Sequence, residues 1–398
     1  MAYTHGVQTS EVATSILPPV EVSAGIPFIV GTAPATVEGN TATVTGKPVL
    51  CYTYDEAVKA FGYADPVADG DTGLKKYQYS IHEFIYSHFT LFGASPAIIV
   101  NVGATAEADD VAEAFNLVEE CFPRFRIVPT ILLAPRYSET PAVAAVMATK
   151  CAGINGVFTA GVALVDVPTE TVKEYSAVAA WKTENNITDA RQVVCFPKVA
   201  LDGVVFSMST QLAGLLCKVD GQNGDVPYVS PSNKNFQMTA AVLADGTEVL
   251  LGKDTAESLN GQGVVTALNF FGGWKCWGNR TACYPDVTDV KDSFIPLRRM
   301  FSWVGNTLVQ TFWQKLDNPL NRRLIDTIVD SANMWLDGLT AKGYILGGRV
   351  EFLDTENTTF DLMDGKVKFH VYITPPSPAR QIDFVLEYDT SYVQSLFA

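Results

Sequence analysis

The 398-residue chain is poor in basic residues and lacks long hydrophobic runs. Its 28 lysines and arginines stand against 43 aspartates and glutamates, so the formal net charge is −15. This balance argues against non-specific binding to nucleic acid or to an anionic membrane, because both require a basic surface. No apolar segment approaches the roughly 18 to 20 residues of a membrane-spanning helix. We therefore expect a soluble protein that contacts neither nucleic acid nor a membrane directly.

The sequence also lacks a recognisable secretory signal, since MAYTHGVQTSEV has no charged region followed by an apolar core. The cysteines are scattered and odd in number: Cys51, Cys121, Cys151, Cys195, Cys217, Cys276 and Cys283. Scattered thiols without such a signal are typical of reduced, cytosolic cysteines. The sequence thus predicts a protein that is made and folded in a cytoplasm.

Metal-binding patterns are missing as well. There is no C-x-x-C pair, and the six residues between Cys276 and Cys283 include no histidine. Only four histidines occur, and they are dispersed: His5, His82, His88 and His370. Zinc sites need several cysteine or histidine ligands at short, regular spacing. We expect no metal, and we interpret the two thiols as small buried side chains.

Motifs for nucleotide binding and nucleophilic catalysis are absent too. Gly273 and Gly278 have the glycine spacing of the phosphate loop G-x-x-x-x-G-K-[ST]. However, Asn279 stands in the lysine position and Arg280 in the Ser/Thr position, so the cation that reaches the phosphates is missing. No G-x-G-x-x-G fingerprint follows the first strand, and no G-x-S-x-G elbow occurs. We expect no cofactor and no catalytic residue, and predict that the chain is not an enzyme.

The composition itself is globular, with 47% hydrophobic and 18% charged residues in a chain long enough for two or three domains. Between residues 26 and 222, short apolar runs such as PAIIVNVG alternate with amphipathic stretches of 10 to 15 residues. This rhythm is typical of a layered sheet with largely parallel strands. The predicted fold class is α/β, or α+β when the rest of the chain is included.

A different pattern begins near residue 294. Two amphipathic helices are predicted, the second capped by Asn318, with Pro319 in its first turn and Gly343 at its end. Two strand patterns follow, RVEFLD and KVKFHVYITPP. The region therefore combines helices and strands without the earlier alternation, as in an α+β domain.

Both ends of the chain have alternating strand patterns joined to the rest through prolines. HGVQTSEV precedes Pro18 and Pro19, and RQIDFVLEYD follows Pro375, Pro376 and Pro378. Proline cannot lie inside a central strand, because it lacks the N–H that a sheet requires. Each end is therefore predicted to be an extended arm.

The stretch FFGGWKCWGNRTACYP, residues 270–285, is predicted to be a packing junction. Gly272 and Gly273 allow a bend that other residues resist. Trp274 and Trp277 can fill a core or a subunit seam, and Arg280 offers a fixed fork of donors to carbonyl or carboxylate oxygens.

Several of these segments occur together in a distinctive order: HGVQTSEV, IPFIVGTAP, CWGNRT, NPLNRRLIDTIVDSANMWLDGLTAKGYILGG and a terminal strand pattern. This combination resembles the tail sheath proteins of contractile phage tails and of related particles such as R-type bacteriocins. Its most specific marker is formed by Trp277, Gly278, Asn279 and Arg280. The resemblance covers both ends and residues 264–398, whereas the middle of the chain resembles the family only in its rhythm.

The resemblance implies an N-terminal arm (residues 1–25), an outer layered α/β domain (26–263), an inner α+β domain that contacts a tail tube (264–378) and a C-terminal β arm (379–398). In the family, arms of neighbouring subunits complete a sheet in a third subunit, which is a form of strand addition. The implied interface residues are Gly6, Val7, Thr9, Glu11, Val12, Ile382, Phe384, Leu386 and Tyr388. Two basic residues of this acidic chain, Arg322 and Arg323, are the candidate tube-facing residues.

The function that the resemblance implies is structural. A sheath subunit polymerises helically around a tail tube and contracts from a metastable extended state, without nucleotide hydrolysis, to drive the tube through a cell envelope. The implied partners are further copies of the chain, the tube protein, and baseplate and tail terminator proteins, with assembly in a bacterial cytoplasm. Two other classes stay open on the residues: an α/β enzyme acting on a nucleotide or acyl substrate, and a scaffold that forms closed oligomers.

Overall fold

The computed structural model describes residues 17–37, 41–70 and 73–397. The strands of three or more residues are β1 (Pro27–Gly31), β2 (Val49–Cys51), β3 (Ala97–Asn101), β4 (Ile131–Leu133), β5 (Val162–Asp166), β6 (Gln192–Cys195), β7 (Lys198–Leu201), β8 (Val204–Phe206), β9 (Ala240–Val242), β10 (Val264–Asn269), β11 (Trp274–Trp277), β12 (Gly347–Glu351) and β13 (His370–Thr374). Two-residue strands lie at Thr36–Val37, Thr41–Ala42, Val67–Ala68 and Lys75–Lys76.

The α-helices are α1 (Tyr54–Phe61), α2 (Ser80–Ile85), α3 (Ala108–Ala114), α4 (Cys121–Phe125), α5 (Pro141–Ala152), α6 (Val178–Glu184), α7 (Met208–Gln222), α8 (Lys253–Asn260), α9 (Val290–Ser293), α10 (Ile295–Phe312), α11 (Arg322–Ala341) and α12 (Thr359–Met363). A π-helical turn, Tyr86–Leu91, extends α2. Short 3-10 helices lie at Phe115–Glu120, Tyr175–Ala177, Trp313–Lys315, Asp354–Glu356 and Thr390–Phe397.

One eight-stranded sheet organises the chain, in the order β11-β10-β6-β5-β4-β1-β3-β2. The six central strands are parallel, and only the edge strands β11 and β2 pair antiparallel with their neighbours. A second sheet of β9, β7, β8 and two short strands flanks it. The predicted alternation of strands and helices, and the largely parallel pairing, are confirmed.

Helices cover both faces of the eight-stranded sheet. In β1, Phe28 and Val30 face α3, α5, α10 and α11, whereas Ile29 faces α1, α2 and α7. All five residues of β1 are buried, as expected for a parallel strand that is covered on both sides. The two largest parts of the core therefore lie on opposite faces of this sheet.

The boundary predicted between residues 263 and 264 falls inside the eight-stranded sheet. Strand β10 begins at Val264, which lies opposite Val194 of β6 in a parallel pair. Strand β11 then pairs with β10 and forms the edge of the same sheet. The chain on either side of residue 263 thus shares one sheet.

Residues 17–26, most of which belong to the predicted N-terminal arm, pack against α10 and α11. The backbone N–H of Val20 donates to Thr311 Oγ1 at 3.0 Å, and Trp303 Nε1 donates to the Val22 carbonyl at 2.6 Å. Val22 and Ala24 are buried. We call residues 17–26 the connector. Several of its backbone groups are satisfied by helix side chains, because no strand in the described part of the chain lies beside it to pair with them.

Helix α11 begins later than the sequence predicted. Its N-cap is Asn321, whose side chain accepts a hydrogen bond from the Leu324 N–H at 2.9 Å. Asn318, predicted as the cap, instead donates to the carbonyls of Gln314 and Lys315 at the end of the preceding helical turn. A single capping side chain is enough to set where a helix starts. Gly343 does follow the helix end, with φ 77°.

Candidate assembly surfaces

The C-terminal segment leaves its apolar side chains in solvent. The exposed fractions of the predicted arm residues Ile382, Phe384, Leu386 and Tyr388 are 70%, 85%, 94% and 78%. No strand is formed between residues 378 and 389, and a 3-10 helix follows at Thr390–Phe397. An isolated strand is unstable in water. The segment therefore does not form a strand in a single chain, where no sheet edge within the described ranges pairs with it. Its role as a β arm stays a prediction.

The other predicted arm residues lie outside the described part of the chain. These residues are Gly6, Val7, Thr9, Glu11 and Val12. The described chain starts at Leu17, whose N–H donates to Ser331 Oγ on α11 at 3.0 Å. The described part of the chain therefore begins against the surface of α11.

A two-stranded sheet near α11 has two unlike edges. Strands β12 and β13 pair antiparallel, with Val350 opposite Val371. On the outer edge of β12, the Asn333 amide accepts from the Val350 N–H at 2.7 Å and donates to its carbonyl at 3.1 Å. Within residues 17–37, 41–70 and 73–397, the outer edge of β13 has no strand beside it. Such an edge is a template for strand addition.

Arg322 and Arg323 occupy the first turn of α11 and are both exposed. Arg322 Nε lies 2.9 Å from Asp326 Oδ1, in an exposed pair one helical turn apart. The Arg323 carbonyl accepts a hydrogen bond from the Thr327 hydroxyl one turn later in the same helix. The structure thus places both guanidinium groups at a solvent-facing helix end.

The marker residues 277–280 lie where β11 leaves the sheet. Gly278 has φ 135°, and a Cβ there would come within 3.1 Å of the Val265 Cα on β10. Its N–H donates to Ser232 Oγ at 3.1 Å, and the Asn279 carbonyl accepts from the Ile295 N–H at 3.0 Å. The glycine is therefore required both by its backbone angle and by the close approach of β10.

Arg280 connects this turn to the start of α10. Its guanidinium stacks over the rings of Phe294 and Tyr284, with centroid distances of 3.7 and 4.4 Å. One of its nitrogens donates to Ser293 Oγ at 2.7 Å. Burial lowers the pKa of Arg280, although the group stays cationic because its ordinary pKa is so high. Cation–π contact and one hydrogen bond thus fix the entrance to α10.

Two buried carboxylates that the sequence did not reveal hold the start of α7. Glu83 on α2 accepts from the Ser207 N–H at 2.6 Å, and Asp166 at the end of β5 accepts from the Ser209 N–H at 2.9 Å. Negative charge is favourable at a helix N-terminus. Burial raises the pKa of Asp166, while its bonds to Ser209 and the charge of Lys198 oppose that rise. The only sequence signal for this arrangement is that α2 and β5, which are otherwise largely apolar, each contain one acidic residue.

Lys182 is a buried cation with a structural role. Its ammonium donates to the carbonyl oxygens of Ala282 at 3.0 Å and Tyr284 at 2.8 Å, and also contacts the Gln262 carbonyl. Burial lowers its pKa. Three donor positions match three carbonyl oxygens, so α6 is tied to the turn around the marker residues.

The thiols are buried, and burial raises the pKa of Cys51 and Cys121 to about 12. The pKa values of Cys276 and Cys283 are raised for the same reason. In the described ranges, no group of three or more His, Cys, Asp or Glu residues is arranged to hold a metal ion. Helices in those ranges are also too short or too polar to cross a bilayer.

Two curated proteins match the sequence. A tail sheath protein of Burkholderia phage BcepMu is 25% identical over 277 residues, which cover 67% of this chain and 56% of that protein. A putative prophage major tail sheath protein of Pseudomonas aeruginosa strain UCBPP-PA14 is 24% identical over 414 aligned positions, covering 97% of both chains. No family model matches the sequence. The second match spans both predicted domains and both ends.

Solved structures agree on the fold. A chain in the baseplate of the anti-feeding prophage superposes with a TM-score of 0.71 at 18% identity, covering 98% of this chain and 100% of that one. A chain in the contracted sheath of the extracellular contractile injection system PVC gives 0.70 at 17% identity, covering 98% and 99%. Together with the curated relatives, these matches confirm the resemblance. The chain is thus similar to contractile tail sheath proteins in both sequence and fold.

Proposed function

We propose that this chain is the structural subunit of a contractile sheath, which polymerises helically around a tail tube and contracts from a metastable extended state. The observation that carries the proposal is the C-terminal segment, whose apolar residues are exposed in a single chain that also offers an open edge at β13. Contraction of this kind needs no nucleotide, because the energy is stored at assembly. It would drive the tube through a cell envelope.

Strand addition gives the arms their physical purpose. An extended segment gains backbone hydrogen bonds when it joins the edge of another subunit's sheet. The outer edge of β13 is suited to this addition, whereas Asn333 occupies the outer edge of β12. Ile382, Phe384, Leu386 and Tyr388 would contribute from one neighbour. Residues of the other arm, Gly6, Val7, Thr9, Glu11 and Val12, would contribute from a second.

The remaining segments receive roles consistent with this assembly. The outer part, within residues 26–263, and the inner part beside the tube, within residues 264–378, would share the eight-stranded sheet, with the residues ahead of the connector and residues 379–398 as arms. Arg322 and Arg323 would face the tube, since both are exposed on a chain with a net charge of −15. Baseplate and tail terminator proteins would bind the two ends of the polymer. The subunits would assemble in a bacterial cytoplasm as part of a phage tail or a released particle.

Electron microscopy of the purified full chain, compared with a variant that lacks residues 379–398, tests the proposal. The full chain is expected to form tubes or stacked rings, and the truncated chain is expected to stay folded by circular dichroism without polymerising. Normal tubes from the truncated chain would contradict the arm mechanism. Closed small oligomers of the full chain would favour a scaffold, and monomers that turn over a nucleotide or acyl substrate would favour an enzyme.

A further inference from the structure

A basic groove of about 310 Å³ lies beside the second half of α7. One wall is formed by α7 and includes Lys218, and the other is formed by residues 233–237 and Lys275 at the edge strand β11. The walls carry three lysines, Lys218, Lys234 and Lys275, together with several amide side chains. None of the nine lining residues is acidic. The groove is therefore positive on a chain whose net charge is −15.

The charges of this groove are not neutralised within the described part of the chain. None of the three lysines forms an ion pair there, and Lys275 instead donates to the Asn235 side-chain oxygen. Lysines grouped in a concave surface reinforce one another's potential, because the low-dielectric walls focus the field. The positive charge of the groove is thus complementary to the negative charge of carboxylate groups.

A matching acidic segment is exposed elsewhere on the chain. Residues 107–113 carry four acids, of which Glu107 and Asp110 bond reciprocally at the start of α3. Asp109 and Glu113 are exposed, form no ion pair within the described ranges, and lie four residues apart on one side of the helix. Two carboxylates are therefore displayed together and free to meet lysines.

The groove and the acidic segment lie on opposite faces of the eight-stranded sheet. Helix α7 packs with Ile29 on one face, and α3 packs with Phe28 and Val30 on the other. One chain cannot bring the two surfaces together, but two chains can. A contact between different surfaces of successive copies is heterologous, and such contacts build rings or open helices instead of closed pairs.

We propose that the groove of Lys218, Lys234 and Lys275 docks the acidic segment 107–113 of a second copy of this chain. The contact is a head-to-tail link between subunits, separate from the exchange of arms. As part of a helical sheath it rests on the proposed function, although the pairwise contact itself does not require a tube. It strengthens at low ionic strength, since salt screens exposed charges.

Charge reversal in two full-length variants tests the link. The groove variant carries Lys218→Glu and Lys234→Glu, which leave the Lys275 bond intact. The segment variant carries Asp109→Lys and Glu113→Lys, which leave the Glu107–Asp110 bonds intact. Each variant alone brings like charges together, so the concentration needed for assembly is expected to rise about tenfold or more at 50 mM salt. Sedimentation velocity measures this change, with circular dichroism as the test of folding.

Mixing the two variants provides the decisive measurement. Each variant then presents the charge that the other needs, so a 1:1 mixture is expected to recover assembly near the wild-type concentration. A matched control, Lys47→Glu with Lys59→Glu, changes the net charge equally at exposed sites away from the groove and is expected to assemble normally. Normal assembly of the groove variant would overturn the proposal. A mixture that needs as high a concentration to assemble as its two components would overturn it as well. A wild-type chain that forms rings or short head-to-tail oligomers but no tubes would instead contradict the proposed function alone.

Discussion

Arg299 and Asp220 form a buried, two-pronged ion pair between α10 and α7. One guanidinium nitrogen lies 3.0 Å from Asp220 Oδ1, and the other contacts Oδ2 and also donates to the Ala24 carbonyl at 3.1 Å. Only 2% and 1% of the two side chains are exposed. The pair therefore joins two helices to the N-terminal connector.

Replacing Arg299 by leucine is expected to lower the free energy of unfolding by about 3–5 kcal/mol, because the Asp220 carboxylate would remain buried without its partner. Denaturant unfolding followed by fluorescence measures the loss. Arg322→Leu is the matched control, since it breaks the exposed pair with Asp326 and should cost less than about 1 kcal/mol. Equal, small losses in both variants would show that the buried pair contributes little.

His88 is expected to make the fold sensitive to acid. Its ring is fully buried and stacks on Phe84 at 5.0 Å. Burial lowers the pKa of His88 from 6.5 to about 3, so below pH 6.5 the unfolded chain binds a proton that the folded chain does not. Stability is therefore lost as the pH falls from 6.5 toward 3, by up to about 1.4 kcal/mol per pH unit.

His88→Leu is expected to remove this component of the pH dependence. Relative to its own stability at pH 7.5, the wild type should lose about 2 kcal/mol more than the variant by pH 5. The comparison cancels the contributions of buried acids such as Asp166, whose raised pKa acts in the opposite direction. Parallel stability profiles for the two proteins between pH 5 and 7.5 would contradict the assignment.

Gly278→Ala is expected to cost about 2–5 kcal/mol, since strain at φ 135° adds to a steric clash. The new Cβ would lie 2.7 Å from the Asn260 side-chain amide and 3.1 Å from the Val265 Cα. Gly273→Ala is the control: its φ is 89° and its surroundings are open, so only backbone strain of about 1–2 kcal/mol should appear. Thermal unfolding of both variants measures the difference, and equal shifts would rule out the clash with β10.

The local features of the fold could be predicted from the sequence because they depend on neighbouring residues. The alternation of apolar runs with amphipathic stretches predicted the parallel sheet, and Gly343 predicted where α11 ends. Gly272 and Gly273 do form the bend between β10 and β11, with φ 72° and 89°. The helix end and the bend each rest on a pattern shorter than about 20 residues, and the sheet rests on a series of such patterns.

Contacts between distant parts of the chain could not be predicted in this way. The bond from Trp303 to Val22 joins residues separated by 281 positions, and Thr307 and Thr311 are buried on α10 although neither is apolar. A search for apolar stripes passes over such residues. The C-terminal segment illustrates a different limit, because its alternating pattern predicts a strand that the proposed function pairs with another chain.

The connector on α10 determines how a pull on the N-terminal segment would reach the core. Its hydrogen bonds to Ser331, Thr311 and Trp303 are spaced along residues 17–22. Tension on the N-terminal segment would act on these bonds before it reached the bond between Arg299 and the Ala24 carbonyl, because they lie nearer the pulled end. A neighbouring subunit that pulls on this segment would therefore have to break several hydrogen bonds to α10 and α11 before the connector separated from the core.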